Sequence, residues 1–125
     1  APDAEGGSGP DFTDALVGLA SGLGEMPGFI QLLLRLAGEA TEAGHSSHDY
    51  FKGRYATQRR LVGKAFADEQ AAGRIRGDLD ADQVAAMVFA LVDGLHLQAM
   101  YEPAIDVAAH MRGFLRLLAP AQPEG

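Results

Sequence analysis

Residues 81–101 read ADQVAAMVFALVDGLHLQAMY, and this stretch decides the fold of the chain. Its apolar residues recur at helical spacing, which predicts one long helix. Between Val84 and Leu97 the only strongly polar side chains are those of Asp93 and His96, so the helix is apolar or small on nearly every side. Such a helix must be buried on most sides. A small domain offers few neighbours for so much apolar surface, and we therefore expect the chain to associate with a second copy.

The last predicted helix, residues 104–118, follows the long helix with almost no loop, so the two are predicted to be antiparallel neighbours. Two copies of this helical hairpin could then pair as a four-helix bundle. Ala86, Ala90 and Gly94 form a strip of small residues along which another helix could approach closely. The residues predicted for the dimer interface are Val84, Ala90, Leu91, Gly94, Leu95, Met111, Leu115 and Leu118.

The composition favours an all-α domain. The chain has 125 residues, 47% of them hydrophobic, with the helix formers Ala and Leu prominent. It has no cysteine, which excludes a disulfide framework and thiolate chemistry and fits a reducing cytoplasm. The net charge of -7 argues against nucleic-acid binding by this stretch, because phosphate contacts need clustered Lys and Arg.

The sequence also predicts where the protein is found. No charged-then-apolar signal peptide opens the chain, and no apolar run approaches the roughly 20 residues that span a bilayer. We therefore expect a cytoplasmic protein with no membrane partner.

The chain divides into three parts by composition. Residues 1–10 lack a large apolar side chain and are predicted to be a disordered leader or linker remnant. Residues 11–120 are predicted to form one helical domain, and residues 121–125 a short polar tail. The helices predicted within the domain span residues 11–24, 27–40, 50–72, 81–101 and 104–118.

Capping residues mark several of these helix ends. Asp11 is expected to cap the first helix. Asp80 and Gln83 form a capping-box pattern, which places the start of the fourth helix. Pro103 ends that helix and is expected to begin the fifth.

The run AAGRIRGDLDADQVAAMVFALVDGLHLQAMYEP, followed by a helix that ends FLRLLAP, resembles the C-terminal half of regulators in the TetR family of bacterial transcription factors. The upstream segment EMPGFIQLLLRLAGEATEAGHSSHDYFKGRYATQRRLV is similar to the preceding helices of one branch of that family. The turn departs from the branch's usual pattern, in which His-Pro precedes the second His, because Ser46 and Ser47 stand here between His45 and His48.

The resemblance implies a five-helix effector-binding and dimerisation domain. In the family, the last two helices of each subunit form a four-helix dimer interface, and a small, often apolar molecule binds in a pocket of the domain. Its binding respaces the two DNA-reading heads, so that operator binding is relieved. The family's N-terminal helix-turn-helix domain has no counterpart in this sequence, and we expect the chain as given not to bind an operator by itself.

Apolar helix faces suggest which side chains line such a pocket. Ordinary core packing is the competing explanation for these faces. Asp93 and His96 stand on one side of an apolar helix and could anchor a ligand. They could instead bond each other, or Asp93 could cap a neighbouring helix or pair with Arg54 or Arg59. The residues predicted to bind the ligand are Phe29, Leu33, Leu36, Tyr55, Gln58, Phe89, Asp93 and His96.

An enzymatic function finds little support in the sequence. His45, His48 and Asp49 could hold a metal, but they lie in or beside a polar turn and lack a further ligand, so solvated turn residues are the preferred interpretation. We predict no catalytic residue, metal site or cofactor. Two non-enzymatic alternatives stay open, namely a stand-alone carrier of a hydrophobic small molecule and a pure dimerisation module with a filled interior.

Overall fold

The computed structural model describes residues 12–120, and this part of the chain consists of five α-helices without a strand. The prediction of an all-α domain is therefore confirmed. The predicted leader, the predicted cap Asp11 and the predicted tail lie outside the described residues. The helices are α1 (Phe12–Gly24), α2 (Pro27–Glu39), α3 (His48–Ala71), α4 (Ala81–Tyr101) and α5 (Val107–Arg116).

The ends of α4 agree with the sequence prediction because its cap is strong. The Asp80 carboxylate accepts hydrogen bonds from the backbone N–H groups of Asp82, at 2.9 Å, and Gln83, at 3.2 Å. These bonds satisfy two of the donors that a helix start leaves free. The loop before α4 is held in turn by Gln70, whose Nε2 donates to the carbonyl oxygens of Arg76, at 3.1 Å, and Leu79, at 2.8 Å.

The start of α5 differs from the prediction. The helix begins at Val107 rather than near Pro103, because Asp106 is its N-cap and accepts a hydrogen bond of 3.0 Å from the N–H of Ala109. The residues between α4 and α5 form a loop in which the Glu102 carboxylate accepts from the N–H of Ala104 at 3.1 Å. A side-chain acceptor close in sequence thus outweighs the preference of proline for the first helical position.

The long helix α4 is the centre of the domain. It contacts α2, α3 and α5, while α5 packs against α1 as well. One broad face of α4 enters the core, and its buried residues are Val84, Ala85, Val88, Val92, Leu95 and His96. Phe66 of α3 and Met111 of α5 complete the core at 1% and 0% exposure, and each contributes about 1.5 to 3 kcal/mol by burial.

The two longest helices, α3 and α4, touch at Gly63. A Cβ atom added there would lie 2.7 Å from Asp82 Oδ1 and 3.8 Å from both the Ala81 carbonyl oxygen and the Ala85 Cβ. Ala85 is fully buried at this crossing. The absence of a side chain at Gly63 therefore lets the two helices pack closely.

By length and composition, α4 is long and apolar enough to cross a membrane. This finding corrects the expectation that no apolar run approaches the length of a membrane span. The helix reaches that length because small residues flank its strongly apolar centre. The core helix of a soluble protein passes the same test, and α4 supplies a large part of the buried core.

Candidate functional site

A cavity of about 440 Å³ lies among the helices, within the volume range of small-molecule pockets. Helix α1 forms one wall with Leu16, Leu19 and Leu23, and α2 faces it with Ile30 and Leu33. Helices α3 and α4 form further walls, Met111 of α5 reaches the cavity as well, and the cavity is partly open to solvent. Among residues 12–120, the polar side chains on this wall come from α3 and α4, and they are Arg54, Tyr55, Gln58 and Asp93.

The strongest polar contact in the cavity joins α3 to α4. The Tyr55 hydroxyl donates a hydrogen bond of 2.6 Å to Asp93 Oδ2. The pKa of Tyr55 is raised from its ordinary 10.0 to about 12, chiefly by burial and then by the hydrogen bond to Asp93 and the negative charge of that carboxylate, with Arg54 opposing. Tyr55 therefore keeps its proton and remains a donor at neutral pH.

Asp93 also borders a second depression. An outer groove of about 580 Å³ runs between α2 and α4, and Gln31, Arg35, Leu97 and Tyr101 line it. Leu34 and Asp93 belong to the walls of both the cavity and this outer groove. The Asp93 carboxylate thus lies at the boundary between the inner apolar space and a depression that opens on the surface of α4.

Five of the residues predicted to bind a ligand are brought together on the cavity wall: Leu33, Tyr55, Gln58, Phe89 and Asp93. Phe29 and Leu36 of α2 are not on that wall. The inward face of α2 carries Ile30, Leu33 and Leu34 instead, which leaves Phe29 47% exposed. Successive side chains of a helix point about 100° apart. The nearly continuous apolar run of α2 therefore does not define which side of the helix faces inward.

The third predicted residue outside the cavity is His96. It is 3% exposed, and its Nε2 lies 2.9 Å from the carbonyl oxygen of Ala20 on α1. A carbonyl oxygen can only accept, so Nε2 carries the hydrogen and donates it. His96 therefore joins α4 to α1.

Tyr55 is the hydrogen-bond partner of the Asp93 carboxylate. Within residues 12–120, the hydrogen bonds and ion pairs place Asp93 with Tyr55, not with His96, Arg54 or Arg59. Arg54 lines the same cavity, but its Nη1 points to the Tyr50 hydroxyl, 3.5 Å away on the exposed side. A ligand role for Asp93 stays a prediction.

Sequence reasoning missed several residues of the cavity wall. The most important are those of α1, because none of the residues predicted to bind the ligand lies on that helix. Leu16, Leu19 and Leu23 recur at helical spacing, and this signal could have placed them beside the apolar face of α2. Phe51 and Arg54 were missed because nothing local in α3 distinguishes its inward turn from its exposed turns.

The residues predicted for the dimer interface fall into two groups. Inside the single chain, five of them belong to the core with 7% exposure or less: Val84, Leu95, Met111, Leu115 and Leu118. These side chains have almost no surface left for a partner, because the packing of α1, α4 and α5 already covers them. Leu91 is half-buried against the same core, whereas Ala90 is exposed and Gly94 is half-exposed.

A different apolar face of α4 remains uncovered in the single chain. Its residues follow one another at alternating steps of three and four positions, which is the spacing of a coiled-coil seam. Met87, Leu97 and Tyr101 are 53%, 50% and 86% exposed. We name this face the exposed stripe; it consists of Met87, Ala90, Gly94, Leu97 and Tyr101.

The histidines of the turn between α2 and α3 serve the backbone. His45 Nδ1 accepts a 3.0 Å hydrogen bond from the N–H of Ser47, and His48 Nδ1 lies 2.8 Å from the carbonyl oxygen of Ala40 and donates to it. Between residues 12 and 120 there is no group of three or more His, Cys, Asp or Glu side chains that could hold a metal ion.

One comparison with known proteins finds a match. The model of a family described as BetI-type transcriptional repressor, C-terminal, matches residues 15–120. No curated protein and no solved structure matches the chain. The matched range includes every residue that lines the cavity and every residue of the exposed stripe.

Proposed function

This chain belongs to the BetI-type C-terminal domains of TetR-family transcriptional repressors, and from that premise we propose that it is the effector-binding and dimerisation domain of such a regulator. The effector is a small apolar or amphipathic molecule that enters the cavity and relieves operator binding. The family consists of transcriptional regulators rather than enzymes. Action on a bacterial operator would take place in the cytoplasm.

The observation that supports ligand binding most directly is the composition of the cavity wall. Apolar side chains from α1 and α2 face a small polar group, formed by Arg54, Tyr55, Gln58 and Asp93. Small-molecule sites typically combine a mostly apolar wall with a few polar groups that orient the ligand.

Helix α1 gives a route by which a bound ligand could act on a DNA-reading domain. In the family that domain precedes the effector domain, and α1 is the first of the described helices. Six residues of α1 line the cavity: Leu16, Gly18, Leu19, Ala20, Gly22 and Leu23. Suppose that α1 can adopt two placements and that a ligand binds one of them more tightly. The ligand would then shift the equilibrium between the two placements, by a free energy equal to its difference in binding free energy for the two states.

Dimerisation is supported by the exposed stripe. It combines large apolar side chains at its ends with Ala90 and Gly94 at its centre, so a second helix could approach closely there. A contiguous apolar patch of this kind is uncommon on a monomer and is typical of an interaction surface. A two-fold axis would bring the stripe of one subunit against that of its partner.

Two measurements test the proposal. Sedimentation of the chain at micromolar concentration should show a dimer, and a persistent monomer would exclude the dimerisation function and favour a carrier. Thermal-shift screening with uncharged and charged amphiphiles should raise the melting temperature, because a ligand that binds only the folded state stabilises it. A dimer that no amphiphile stabilises would favour a pure dimerisation module.

A further inference from the structure

We propose that the effector is an amphipathic amine, whose protonated nitrogen binds the Asp93 carboxylate while its apolar part occupies the cavity. This inference rests on the proposed function, since it names the chemical class of the ligand at the same site. It also assigns a specific role to a single charged residue on the wall.

The first argument is the incomplete set of partners around Asp93. Tyr55 binds Oδ2 at 2.6 Å, and among the hydrogen bonds and ion pairs of residues 12–120 nothing reaches Oδ1. A carboxylate has room for several donors, and Asp93 is half-buried beside the apolar side chains of the cavity wall. A cationic group that binds there would compensate the charge.

The second argument favours an amine with N–H groups. An ammonium N–H can donate a short, charge-assisted hydrogen bond to Oδ1, while Tyr55 continues to hold Oδ2. A quaternary ammonium group carries the same charge but has no hydrogen to donate. The carboxylate on α4, held in place by Tyr55, should therefore bind a ligand with at least one N–H group more tightly than a ligand without one.

The third argument concerns the position of Asp93 at the boundary of the cavity. Because Asp93 also lines the outer groove, a charged head group there would lie near the more open side. The rest of the molecule would extend inward between the apolar residues of α1 and α2, such as Leu19, Leu23 and Ile30. This arrangement matches a molecule with one cationic end and one apolar end.

Arg54 raises the opposite possibility, an anionic ligand. Its guanidinium is directed to the hydroxyl of Tyr50, which is 60% exposed, and the long side chain is not fixed by a carboxylate among the described ion pairs. Arg54 would therefore act on an ammonium ligand as a weakly repulsive charge on the cavity wall. Removing the charge of Asp93 should weaken the binding of an ammonium ligand, whereas removing the charge of Arg54 should not. The direction of the change in affinity therefore tests the proposal.

The experiment uses four probes with the same ten-carbon chain: decylamine, decyltrimethylammonium, decanol and decanoate, each below its micelle concentration. Their affinities for the chain are measured by calorimetry at neutral pH. We expect decylamine to bind most tightly. Asp93→Asn should weaken decylamine binding about 10-fold to 100-fold, the range for a hydrogen bond to a charged group, and should leave decanol within about 2-fold.

Arg54→Gln is the matched variant, since it removes the opposite charge from the same cavity. It should leave decylamine binding unchanged or strengthen it, and should weaken decanoate binding if decanoate binds at all. The amide of Asp93→Asn can still accept from Tyr55, and an unchanged circular dichroism spectrum checks that the variant folds. Decylamine affinity that survives Asp93→Asn, or decanoate as the tightest probe, would overturn the amine class.

The outcomes also distinguish this inference from the proposed function. If decanol binds as well as decylamine, the cavity is a ligand site and only the amine class is excluded. If decyltrimethylammonium equals decylamine, the hydrogen-bond argument is wrong. If none of the four probes binds, the amine proposal is overturned, and the broader thermal-shift screen decides on the ligand function itself.

Discussion

The imidazole of His96 on α4 donates a buried hydrogen bond of 2.9 Å to the main-chain carbonyl of Ala20 on α1. The two residues are far apart in sequence, and Ala20 also lines the cavity. This bond fixes α1 to the central helix at the level where a ligand would contact it. Near the start of α1, an ion pair joins Arg112 Nη1 of α5 to Asp14 Oδ1 at 2.8 Å. Both of these side chains are about half-exposed.

Replacing His96 with Leu keeps an apolar side chain in the core but leaves the Ala20 carbonyl without its partner. We expect the free energy of unfolding to fall by about 1 to 2 kcal/mol, the range for a lost buried hydrogen bond. Urea denaturation measures the change. Gln98→Leu on an exposed position of the same helix is the control and should stay within about 0.5 kcal/mol. Equal effects of the two variants would show that the bond to Ala20 contributes nothing.

Gly63→Leu should destabilise the domain by about 1 to 3 kcal/mol, because a side chain there must displace α4 at Asp82, Ala81 and Ala85. Gly63→Ala should be much milder, since the exposed Asp82 carboxylate can turn aside and alanine favours the helix. Gly53→Leu on the same helix is the control, because no atom lies within 4 Å of a Cβ there. Thermal unfolding of the three variants tests the close crossing of α3 and α4.

Gly22→Leu should fill part of the cavity and abolish decanol binding. Gly22 lines the cavity, and a Cβ added there meets no atom within 4 Å, so the backbone need not move. Gly22→Ala is the matched control, since it gains the same helix propensity, about 0.5 to 1 kcal/mol, without filling the space. Calorimetry compares the two variants. If Gly22→Leu binds decanol like the parent chain, the ligand does not occupy this cavity.

Tyr55 should lose its proton only at strongly alkaline pH. Its pKa is raised from 10.0 to about 12, so the folded state holds this proton more tightly than the unfolded state does. The resulting stability is complete below pH 10 and is lost as the pH rises through about 12. Ultraviolet absorbance of tyrosinate should show one late titration, and Tyr55→Phe should remove it. A late phase that persists in Tyr55→Phe would belong to another tyrosine.

Leu97→Asp should produce a folded monomer, because Leu97 is 50% exposed on the exposed stripe and contributes little to the core. Leu115→Asp should unfold the chain, since Leu115 is 7% exposed and an unpaired charge there costs several kcal/mol. Sedimentation and circular dichroism separate these outcomes. A dimeric Leu97→Asp variant would remove this part of α4 from the interface.

The sequence was sufficient to predict the five helices but not which faces of every helix are buried. The bounds of α4 follow from a strong apolar pattern and from the Asp80 cap, both of which act within a few residues. The start of α5 was misplaced because Pro103 and Asp106 are both good starting signals, and only the hydrogen bond of Asp106 decides between them. Local chemistry therefore predicts helix ends wherever a single signal dominates.

The cavity could be predicted only in part, since its geometry depends on contacts between distant residues. The sequence predicts Tyr55 and Asp93 as candidates, but their hydrogen bond depends on how α3 crosses α4 near Gly63. Leu95 and Leu97 are equally apolar in sequence, yet one is 5% exposed and the other 50%. A helix face buried inside one subunit and a face buried between two subunits are both apolar. Composition alone therefore does not show which of the two a given face is.

The shared position of Asp93 in the cavity and the outer groove has a consequence for assembly. The α4 wall of the outer groove carries Gly94, Leu97 and Tyr101 of the exposed stripe as well as Asp93. A cation bound to Asp93 would therefore neutralise a charge beside the surface that we propose for the dimer interface. Because such coupling is reciprocal, the effector would change the dimer dissociation constant by the factor by which dimer formation changes effector affinity. The concentration of the regulator itself would then set how sensitively it detects its ligand.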